Sequence, residues 1–568
     1  MLNRSGPTQR PSRRTRSTHT DPSFMIGIVH GYGLAGAGSN LWTREIVAAL
    51  CGIGETVHLM CQERHPERFR FIAELWTYEN GLATRIFERD TPAPGRCILH
   101  KPRLEVLPTY VRPDRKSEYV RSILDLPDDA IEEYLGRNLV ALRSITEAHG
   151  IHAWHVNHAV LLSECARRLR GERGTRYAVM PHGSALEYII RHDERMQKLA
   201  YGVFREADAV FALNQEVRDR LDRFFPDLEL DAKTRTVRVG VDTELFRPVP
   251  RGERGRSVQR LADALADTDR GHRPEHAARV RQVVRQARED DLDPTTLHER
   301  LRPAADYTTA LPDLDLEDRL GGIDWDAERV VAFVGRLLPA KGVAALVVAF
   351  PRILERHPGT RLLLVGAGWL REYLEAFVLA LSEGCGPLAL RILEAASERS
   401  QEGARPSATA FLHGLRDLGR YDDYVDRARH ALRPDHVLFT GFLAHPLLAH
   451  VFPLADVAVF PSAVAEASPL VIPESAACGC LPMGTDFAGM RRSLDALEPV
   501  LPPPVRPLLR LDPDPARTAA DIVRNVTAAL ELDLDLSEAL RDAAVQEYDW
   551  RRIAHVVSTE LDAIARIP

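Results

Sequence analysis

The sequence lacks three features that would each place it in a special class of protein. No apolar run approaches the roughly 20 residues that cross a bilayer, and no apolar stretch near the N-terminus looks like a signal peptide. The seven cysteines are scattered and odd in number, which favours reduced, buried thiols over a disulfide framework. The formal net charge is only -7 over 568 residues, which argues against a polyanion-binding surface. We therefore expect a cytoplasmic protein that does not bind nucleic acid.

Length and composition predict more than one folded domain. A single hydrophobic core stops growing at about 250 to 300 residues. Hydrophobic residues make up 45% and charged residues 27% of the chain, an ordinary balance for a globular protein. Residues 1–24 differ, because arginines dominate and apolar residues are nearly absent, so we expect a disordered basic tail. This tail is either a targeting or membrane-surface arm, or it lies upstream of a true start at Met25.

Two stretches of alternating strands and helices indicate two α/β domains. A strand, a glycine-rich loop and a helix follow Met25, and further apolar runs occur at IHAWHVNH, RYAVMPH, AVFAL and TVRVGVD. The rhythm restarts at RVVAFVGRLLPAKG and continues through TRLLLVGAG, HVLFTGFL, DVAVFPS and CLPMGTD. Such alternation predicts parallel sheets covered on both faces. The predicted units are a domain over 25–248, a charged insertion over 249–325, and a domain over 326–548 with a helical excursion at about 382–432.

The glycine-rich turn after the first strand is a candidate phosphate loop. Gly31, Gly33, Gly36 and Gly38 follow a strand and open a helix, where bare backbone N–H groups can approach a phosphate. The spacing is not a clean GxGxxG, and no acidic ribose-binding residue stands on the next strand at the expected offset. On this motif alone, an NAD enzyme and a turn without a ligand both stay open.

Two later segments carry charges that suit a nucleotide diphosphate. In VGRLLPAKG, Arg336 and Lys341 follow the end of a strand, the edge where open α/β sheets bind ligands. A guanidinium and an ammonium there suit a diphosphate leaving group, whose negative charge grows as the sugar bond breaks. In PSAVAEASPLVIPESAACG, Glu466 lies in a loop and Glu474 inside the helix that follows. We expect the start of that helix to hold phosphate while Glu474 reaches ribose hydroxyls.

Together these segments resemble the family 4 glycosyltransferases. GVDTELFRP (240–248), VGRLLPAKG (334–342), the two glutamates with seven residues between them, and YDWRRIAHVV near the end follow the family's order. The resemblance covers about residues 25–250 and 326–566. It implies the α/β GT-B fold: two doubly wound Rossmann-like domains that face a cleft, with the donor bound by the second and a C-terminal helix over 549–568 packing back on the first.

The resemblance also implies a reaction and its partners. A sugar would move from a nucleotide-diphosphate donor to a sugar, glycan or lipid-linked acceptor with retention of the anomeric configuration, and the protein would contact the inner membrane face peripherally. No protein nucleophile is evident, so the departing diphosphate would take the acceptor proton, without a metal or another cofactor. A phosphorylase or epimerase on the same fold, and a catalytically inactive protein that binds sugar nucleotide or glycan, are the alternatives.

Residue roles follow from the resemblance, position by position. The implied donor-binding residues are Gly335, Arg336, Lys341, Leu470 (through its backbone amide) and Glu474. The implied catalytic residues are His182, beside the anomeric centre, and Glu466, near the transferred sugar. The implied acceptor and phosphate loops contain Gly36, Gly38, His158 and Gly183.

Two departures qualify these expectations. The family often has a glycine where this chain has Pro469, and proline has no N–H to offer a phosphate. The Asp-x-Asp pairs at 313/315, 512/514 and 533/535 do not follow a buried strand, so we expect solvated acids there and no metal site.

Overall fold

The structure, a computed structural model, describes residues 25–36, 38–79, 81–110, 119–290, 292–302, 311–399, 407–466, 468–532 and 534–567. The predicted basic tail over 1–24 and Asp533 lie outside the described residues. Two sheets of nine and six strands form two α/β domains. The predicted fold, two doubly wound α/β domains, is therefore confirmed. Within the described residues, which include all seven cysteines, the thiols are free and six of them are buried. None of the described helices combines the length and the apolar character needed to span a bilayer.

The first domain is built on the larger sheet. Its strands are β1 (Met25–Val29), β2 (Thr56–Met60), β3 (Ile72–Glu79), β4 (Leu82–Glu88), β5 (Arg96–Pro102), β8 (Ala153–Asn157), β9 (Arg176–Met180), β10 (Ala209–Ala212) and β11 (Thr234–Thr236), while β6 (Leu107–Thr109) and β7 (Val120–Ser122) form a separate ribbon. The order across the sheet is β11-β10-β9-β8-β1-β2-β5-β3-β4. Only the pair β3 and β4 is antiparallel among these described strands.

Helices cover this sheet on both faces, which explains why central strands such as β8 are buried along their whole length. The helices of the first domain are α1 (Ser39–Gly52), α2 (Asp128–His149), α3 (Leu162–Arg173), α4 (Gly183–Ala185), α5 (Glu194–Glu206) and α6 (Gln215–Phe224).

The second domain is built on the smaller, fully parallel sheet. Its strands are β12 (Arg329–Val334), β13 (Thr360–Val365), β14 (Val437–Gly441), β15 (Val457–Phe460), β16 (Leu481–Thr485) and β17 (Arg510–Leu511), in the order β14-β13-β12-β15-β16-β17. The remaining helices are α7 (Arg254–Leu265), α8 (Pro274–Asp290), α9 (Pro294–Leu301), α10 (Leu316–Gly321), α11 (Val343–Arg356), α12 (Arg371–Ser382), α13 (Gly386–Arg399), α14 (Ser407–Asp417), α15 (Tyr421–Ala431), α16 (Val471–Ala477), α17 (Ala488–Leu497), α18 (Pro515–Glu531), α19 (Ser537–Tyr548) and α20 (Trp550–Ala565).

The charged segment before β12 is part of the second domain's core. Helices α7 to α10 bury Leu261, Leu265, Val284 and Leu316 in the same apolar cluster as β12 and β13. The charges of this segment therefore lie on the outer faces of helices whose inner faces are apolar.

Asp313 corrects one expectation about this segment. We expected a solvated acid, but Asp313 is fully buried and accepts hydrogen bonds from Arg371 at 2.6 and 2.7 Å and from Arg319 at 2.6 Å. Burial raises the pKa of this carboxyl, but the Arg371 hydrogen bonds together with the charges of Arg371 and Arg319 outweigh that effect and hold the pKa below its usual value. Asp313 is thus a buried structural partner of Arg371. Arg371 lies on the helix Arg371–Ser382, which no short sequence pattern connects with Asp313.

Two chain segments join the domains. After β11 the chain crosses at Gly240, whose ideal Cβ would lie 2.4 Å from the Trp550 ring, so only glycine fits there. The Val241 amide donates a hydrogen bond to the Tyr548 carbonyl at 2.7 Å. Beyond this point α20 returns to the first domain, where Trp550 and Leu561 share an apolar cluster with the first sheet.

Candidate functional site

The second domain has its candidate site at the switch point of its sheet. From β12 the chain proceeds to β13 and β14 on one side, whereas β15, β16 and β17 lie on the other side. Ligands of open α/β sheets bind in the crevice outside the carboxyl ends of the strands at such a point. The loop 335–342 follows β12, and the loop 461–470 follows β15. The two candidate segments therefore leave neighbouring strands at the same edge.

Backbone contact holds these two loops together. Gly342 has φ +69°, and a Cβ at this position would lie 1.7 Å from the Pro461 carbonyl oxygen. The Ala463 amide donates a hydrogen bond to the Ala340 carbonyl at 2.9 Å. Only glycine combines the left-handed conformation with so close an approach. The backbone geometry of the loop therefore requires the final glycine of VGRLLPAKG.

Lys341 and Glu466 meet between the two loops. The Lys341 Nζ donates a hydrogen bond to Glu466 Oε2 at 2.8 Å. The two side chains remain 32% and 20% exposed, so the pair lies at the surface of the crevice. The structure thus brings together the cation assigned to the diphosphate and the carboxylate assigned to the transferred sugar.

Arg336 lies on the same loop as Lys341 and is exposed. Its guanidinium forms no hydrogen bond or ion pair with any described residue, unlike the Lys341 ammonium, whereas its carbonyl accepts a hydrogen bond from the Leu338 amide at 2.9 Å. Gly335 fixes the start of the loop, since its amide donates to the Val365 carbonyl at 2.9 Å. A Cβ on Gly366 would lie 1.9 Å from the Gly335 carbonyl oxygen. The loop that carries both cations is therefore held closely on the strand ends.

Glu474 lies in the first turn of α16, four residues after Leu470. Leu470 is the N-cap of that helix. The carboxylate is buried and accepts a hydrogen bond of 2.6 Å from Nε2 of His445. This hydrogen bond, opposed by burial, raises the pKa of His445 above its usual value. Pro469, which departs from the family pattern, is buried just before the helix. Our sequence analysis missed His445, a single histidine after a strand that carries no motif of its own.

The first domain gathers three histidines at its own switch point, between β1 and β8. His30 follows β1, His158 follows β8 and His182 lies just beyond β9. The His158 ring lies 4.8 Å from that of His182, 6.1 Å from that of His30, and is stacked on Tyr110 at 4.2 Å. The structure therefore brings His158 and His182 together and adds His30, which the sequence analysis had not selected.

Burial keeps these imidazoles neutral. It lowers the pKa of His30 to about 4, and it lowers the pKa values of His158 and His182 well below the usual value. His182 forms a hydrogen bond of 2.7 Å between its Nε2 and Oδ1 of Asn157. Nδ1 of His30 and Nδ1 of His158 are buried and have no hydrogen-bond partner among the described residues. These two ring nitrogens could therefore form hydrogen bonds with a ligand.

A buried carboxylate organises the glycine-rich turn beside this cluster. Glu63 accepts hydrogen bonds from the amides of Leu34 at 2.5 Å and His65 at 2.7 Å. Gly36 and Gly38 have φ values of +103° and +65°, and Gly38 is the N-cap of α1. The turn is therefore preordered, and Glu63 is a second residue that the sequence analysis missed.

The loop after β9 contains Gly183. Gly183 begins α4 directly after His182, and its ideal Cβ would lie 3.6 Å from a guanidinium nitrogen of Arg220. That distance is an ordinary van der Waals contact, so Gly183 has space on its side-chain face.

The two residue sets lie on different domains, each after the ends of the strands of its own sheet. No hydrogen bond or ion pair between described residues joins His182 to the loops of the second domain. A cavity of about 300 Å³ is lined by both domains, with Thr236 and Arg238 on one side and Ser468 and Arg492 on the other.

Comparisons with known proteins show which families each domain resembles. The model "Glycosyltransferase Family 4" matches residues 101–245, and the model "Glycosyl transferases group 1" matches residues 389–503. The two matches fall in different domains, so sequence similarity to glycosyltransferases is present in both halves of the chain.

Curated glycosyltransferases match parts of the chain. An uncharacterized glycosyltransferase of Methanocaldococcus jannaschii is 48% identical over 50 residues, 9% of this chain and 13% of that protein. A phosphatidyl-myo-inositol mannosyltransferase of Mycobacterium tuberculosis is 25% identical over 240 residues, 42% of this chain and 48% of that protein. The chain thus spans about half the length of the longer match. A solved glycosyltransferase from Rickettsia africae shares the fold, with 12% identity, a TM-score of 0.51, and coverage of 96% of this chain and 100% of that one.

Proposed function

We propose that this protein is a family 4 glycosyltransferase, which transfers a sugar from a nucleotide-diphosphate donor to a hydroxyl acceptor and retains the anomeric configuration. The observation that carries the proposal is the contact between Lys341 and Glu466 at the switch point. The anomeric carbon of such a donor is bonded to the diphosphate, so a cation for the phosphate and a carboxylate for the sugar must lie within a few ångströms of each other.

The ion pair is weak enough to exchange for a ligand. Pairs that remain partly exposed contribute about 0.2 to 1 kcal/mol, because water screens them. A diphosphate carries more negative charge than one carboxylate, so Lys341 would turn to the phosphate, and Arg336 would join it. These cations would then stabilise the charge that grows on the leaving group as the sugar bond breaks.

The nucleoside would bind beside α16. Glu474 has one oxygen held by His445, which leaves its second oxygen for a ribose hydroxyl. The Leu470 amide at the start of the helix would add a donor for phosphate. Because Pro469 offers no N–H, the phosphate contacts would depend more on Arg336 and Lys341 in this chain.

The neutral histidine cluster would contact the sugar and acceptor from the first domain. Closure of the cleft would bring His182 to the anomeric centre, with Gly183 and the turn at Gly36 and Gly38 lining the approach. The unpartnered nitrogens of His30 and His158 suit sugar hydroxyls, which both donate and accept. In the transfer, the bond from the anomeric carbon to the diphosphate breaks, the bond to the acceptor oxygen forms on the same face, and the acceptor proton passes to the leaving phosphate.

The acceptor class is a sugar, a glycan or a lipid-linked molecule. One relative is named for a lipid, phosphatidyl-myo-inositol, which supports including lipids in an acceptor screen. The cytoplasmic location, the peripheral membrane contact and the absence of a metal requirement stay predictions from the sequence.

The test starts with a panel of UDP-, GDP- and ADP-sugars in a thermal shift assay, since a true donor stabilises the folded state by mass action. The donor found is then incubated with acceptor candidates, and the anomeric configuration of the product is read by NMR. Transfer with inversion would contradict the proposal. Turnover that requires inorganic phosphate would indicate a phosphorylase. Isomerisation of the nucleotide sugar without an acceptor would indicate an epimerase. Binding without any release of nucleotide would indicate an inactive binding protein.

A further inference from the structure

Three histidines from three elements meet in the first domain, away from the cleft. His58 lies on β2, His100 on β5, and His149 is the last residue of α2. One ring nitrogen from each lies within 4.8 Å of the other two. His58 is the middle residue of β2, and His100 pairs with Met60 at the end of that strand. The cluster therefore lies along these two strands, next to the C-terminus of α2.

Two of the three nitrogens already have the spacing of metal ligands. Nδ1 of His58 lies 3.0 Å from Nε2 of His100. Tetrahedral zinc with Zn–N bonds of about 2.0 to 2.1 Å separates its nitrogen ligands by roughly 3.3 Å. The His149 ring lies 4.2 Å from that of His58 and 5.5 Å from that of His100, measured between centroids. His149 is only half-buried, so rotation of its ring can bring its nitrogen to the remaining position.

Tyr78 supplies the outer contact that a ligating histidine requires. Its hydroxyl lies 2.8 Å from Nδ1 of His100. When Nδ1–H of His100 donates to Tyr78, the lone pair is left on Nε2, the atom that faces His58. Ligating histidines almost always hold their second nitrogen in this way, which fixes the tautomer and the ring orientation.

An ion pair, with one negative and one positive charge, lies near the cluster. Glu74 is buried beside the cluster, accepts a hydrogen bond from the Trp76 indole at 2.9 Å and forms an ion pair with Arg96 at 3.3 Å.

We propose that His58, His100 and His149 bind one zinc ion, with a water in the fourth position on the exposed side of His149. Three neutral imidazoles without a thiolate suit Zn²⁺ among the common metals. The ion connects the end of α2 to β2 and β5, and its role is to stabilise the first domain.

The test uses the untagged full chain, stripped of metal with a chelator and titrated with Zn²⁺ and separately with Co²⁺. We expect one zinc per chain with a Kd tighter than about 1 μM, and one Co²⁺ with the absorption spectrum of tetrahedral coordination. Saturation with zinc should raise the unfolding temperature by roughly 5 °C or more. A wild-type chain that binds neither ion stoichiometrically overturns the proposal, since the three rings are then a metal-free stack.

Variants locate the ion. His149→Ala, at a half-buried position, should lose the Co²⁺ spectrum and the zinc-dependent shift in unfolding temperature, whereas His192→Ala, at an exposed position, should keep both. Tyr78→Phe leaves all three ligands in place and should weaken zinc binding by about 10 to 100-fold. Circular dichroism checks that each variant is folded. Unchanged zinc affinity in both His149→Ala and Tyr78→Phe overturns the assignment of this site.

Discussion

Lys341 and Glu466 are 125 positions apart in the chain, yet Nζ of one lies 2.8 Å from Oε2 of the other. The contact exists because the loops after β12 and β15 leave neighbouring strands at the switch point of the sheet. In the folded chain the two side chains form an ion pair with each other, and both remain partly exposed. The proposed function depends on this arrangement, since Lys341 would bind the donor diphosphate while Glu466 contacts the transferred sugar.

Replacing Lys341 separates stability from activity. Lys341→Ala should lower the free energy of unfolding by less than about 1 kcal/mol, because the ion pair is partly exposed. It should lower kcat/KM by about 10²-fold, because the cation stabilises charge that develops in the transition state. Urea unfolding and steady-state kinetics measure the two effects. Arg356→Ala, at an exposed position, is the control and should alter neither. Full transfer by both Lys341→Ala and Arg336→Ala would rule out the proposed donor site.

Glu466→Gln keeps the size of the side chain and removes its charge. If Glu466 acts on the transferred sugar, kcat should fall by about tenfold or more while the Kd of the donor changes little. Donor titration and single-turnover kinetics separate the two quantities. Asp512→Asn, at the end of the sheet's last strand, serves as the carboxylate control. An equal loss of affinity and of turnover would instead assign Glu466 to uniform donor binding.

Gly342→Ala tests the contact between the loops. The left-handed backbone costs a non-glycine residue about 1 to 2 kcal/mol, and the new Cβ would lie 1.7 Å from the Pro461 carbonyl, so the loops must move apart. We expect a loss of about 2 kcal/mol or more in unfolding free energy, together with a fall in kcat/KM. Gly359→Ala is the matched control, since its Cβ would meet no described atom within 4 Å. Equal behaviour of the two variants would contradict this explanation of Gly342.

His445 should give the protein a measurable pH dependence. Its pKa in the folded protein is raised above 6.5, chiefly by the hydrogen bond to Glu474. A raised pKa means that the folded state binds the proton more tightly, so the stabilisation is complete below pH 6.5 and is lost as the pH rises through the folded value. The unfolding temperature of the wild type minus that of His445→Gln should therefore be largest in mildly acidic buffer and decrease toward alkaline pH. A difference that is constant across this range would mean that the His445–Glu474 pair does not titrate as described.

Most of the central strands follow from the sequence, because they are apolar on both faces. RYAVMPH and RVVAFVGRLLPAKG contain β9 and β12, whose residues are buried nearly throughout. The strands β3, β4 and β5 were missed. Almost all residues of β4 are exposed at an open edge, whereas β3 and β5 are largely buried, so exposure does not explain their omission. TVRVGVD was predicted as a strand, but only its first residue, Thr236, belongs to β11, since the chain then crosses to the second domain against Trp550.

The sequence predicts the individual residues of the site better than it predicts the contacts between them. Motif spacing selects Lys341, Glu466 and Glu474, and the rule for switch points explains why two of them meet. No local signal identifies His445 or the burial of Asp313, because their partners Glu474 and Arg371 lie 29 and 58 positions away in the chain. Such long-range pairs depend on how helices pack, which a single sequence does not encode in any short pattern.

The most direct test of the central claim is titration calorimetry of the best nucleotide sugar against the wild type and the Arg336→Ala, Lys341→Ala double variant. The account predicts saturable binding at one site per chain in the wild type and binding at least about 100-fold weaker in the double variant, since two charge-assisted contacts to the diphosphate are lost. Equal affinity in the two proteins would contradict it, because the diphosphate would then bind elsewhere.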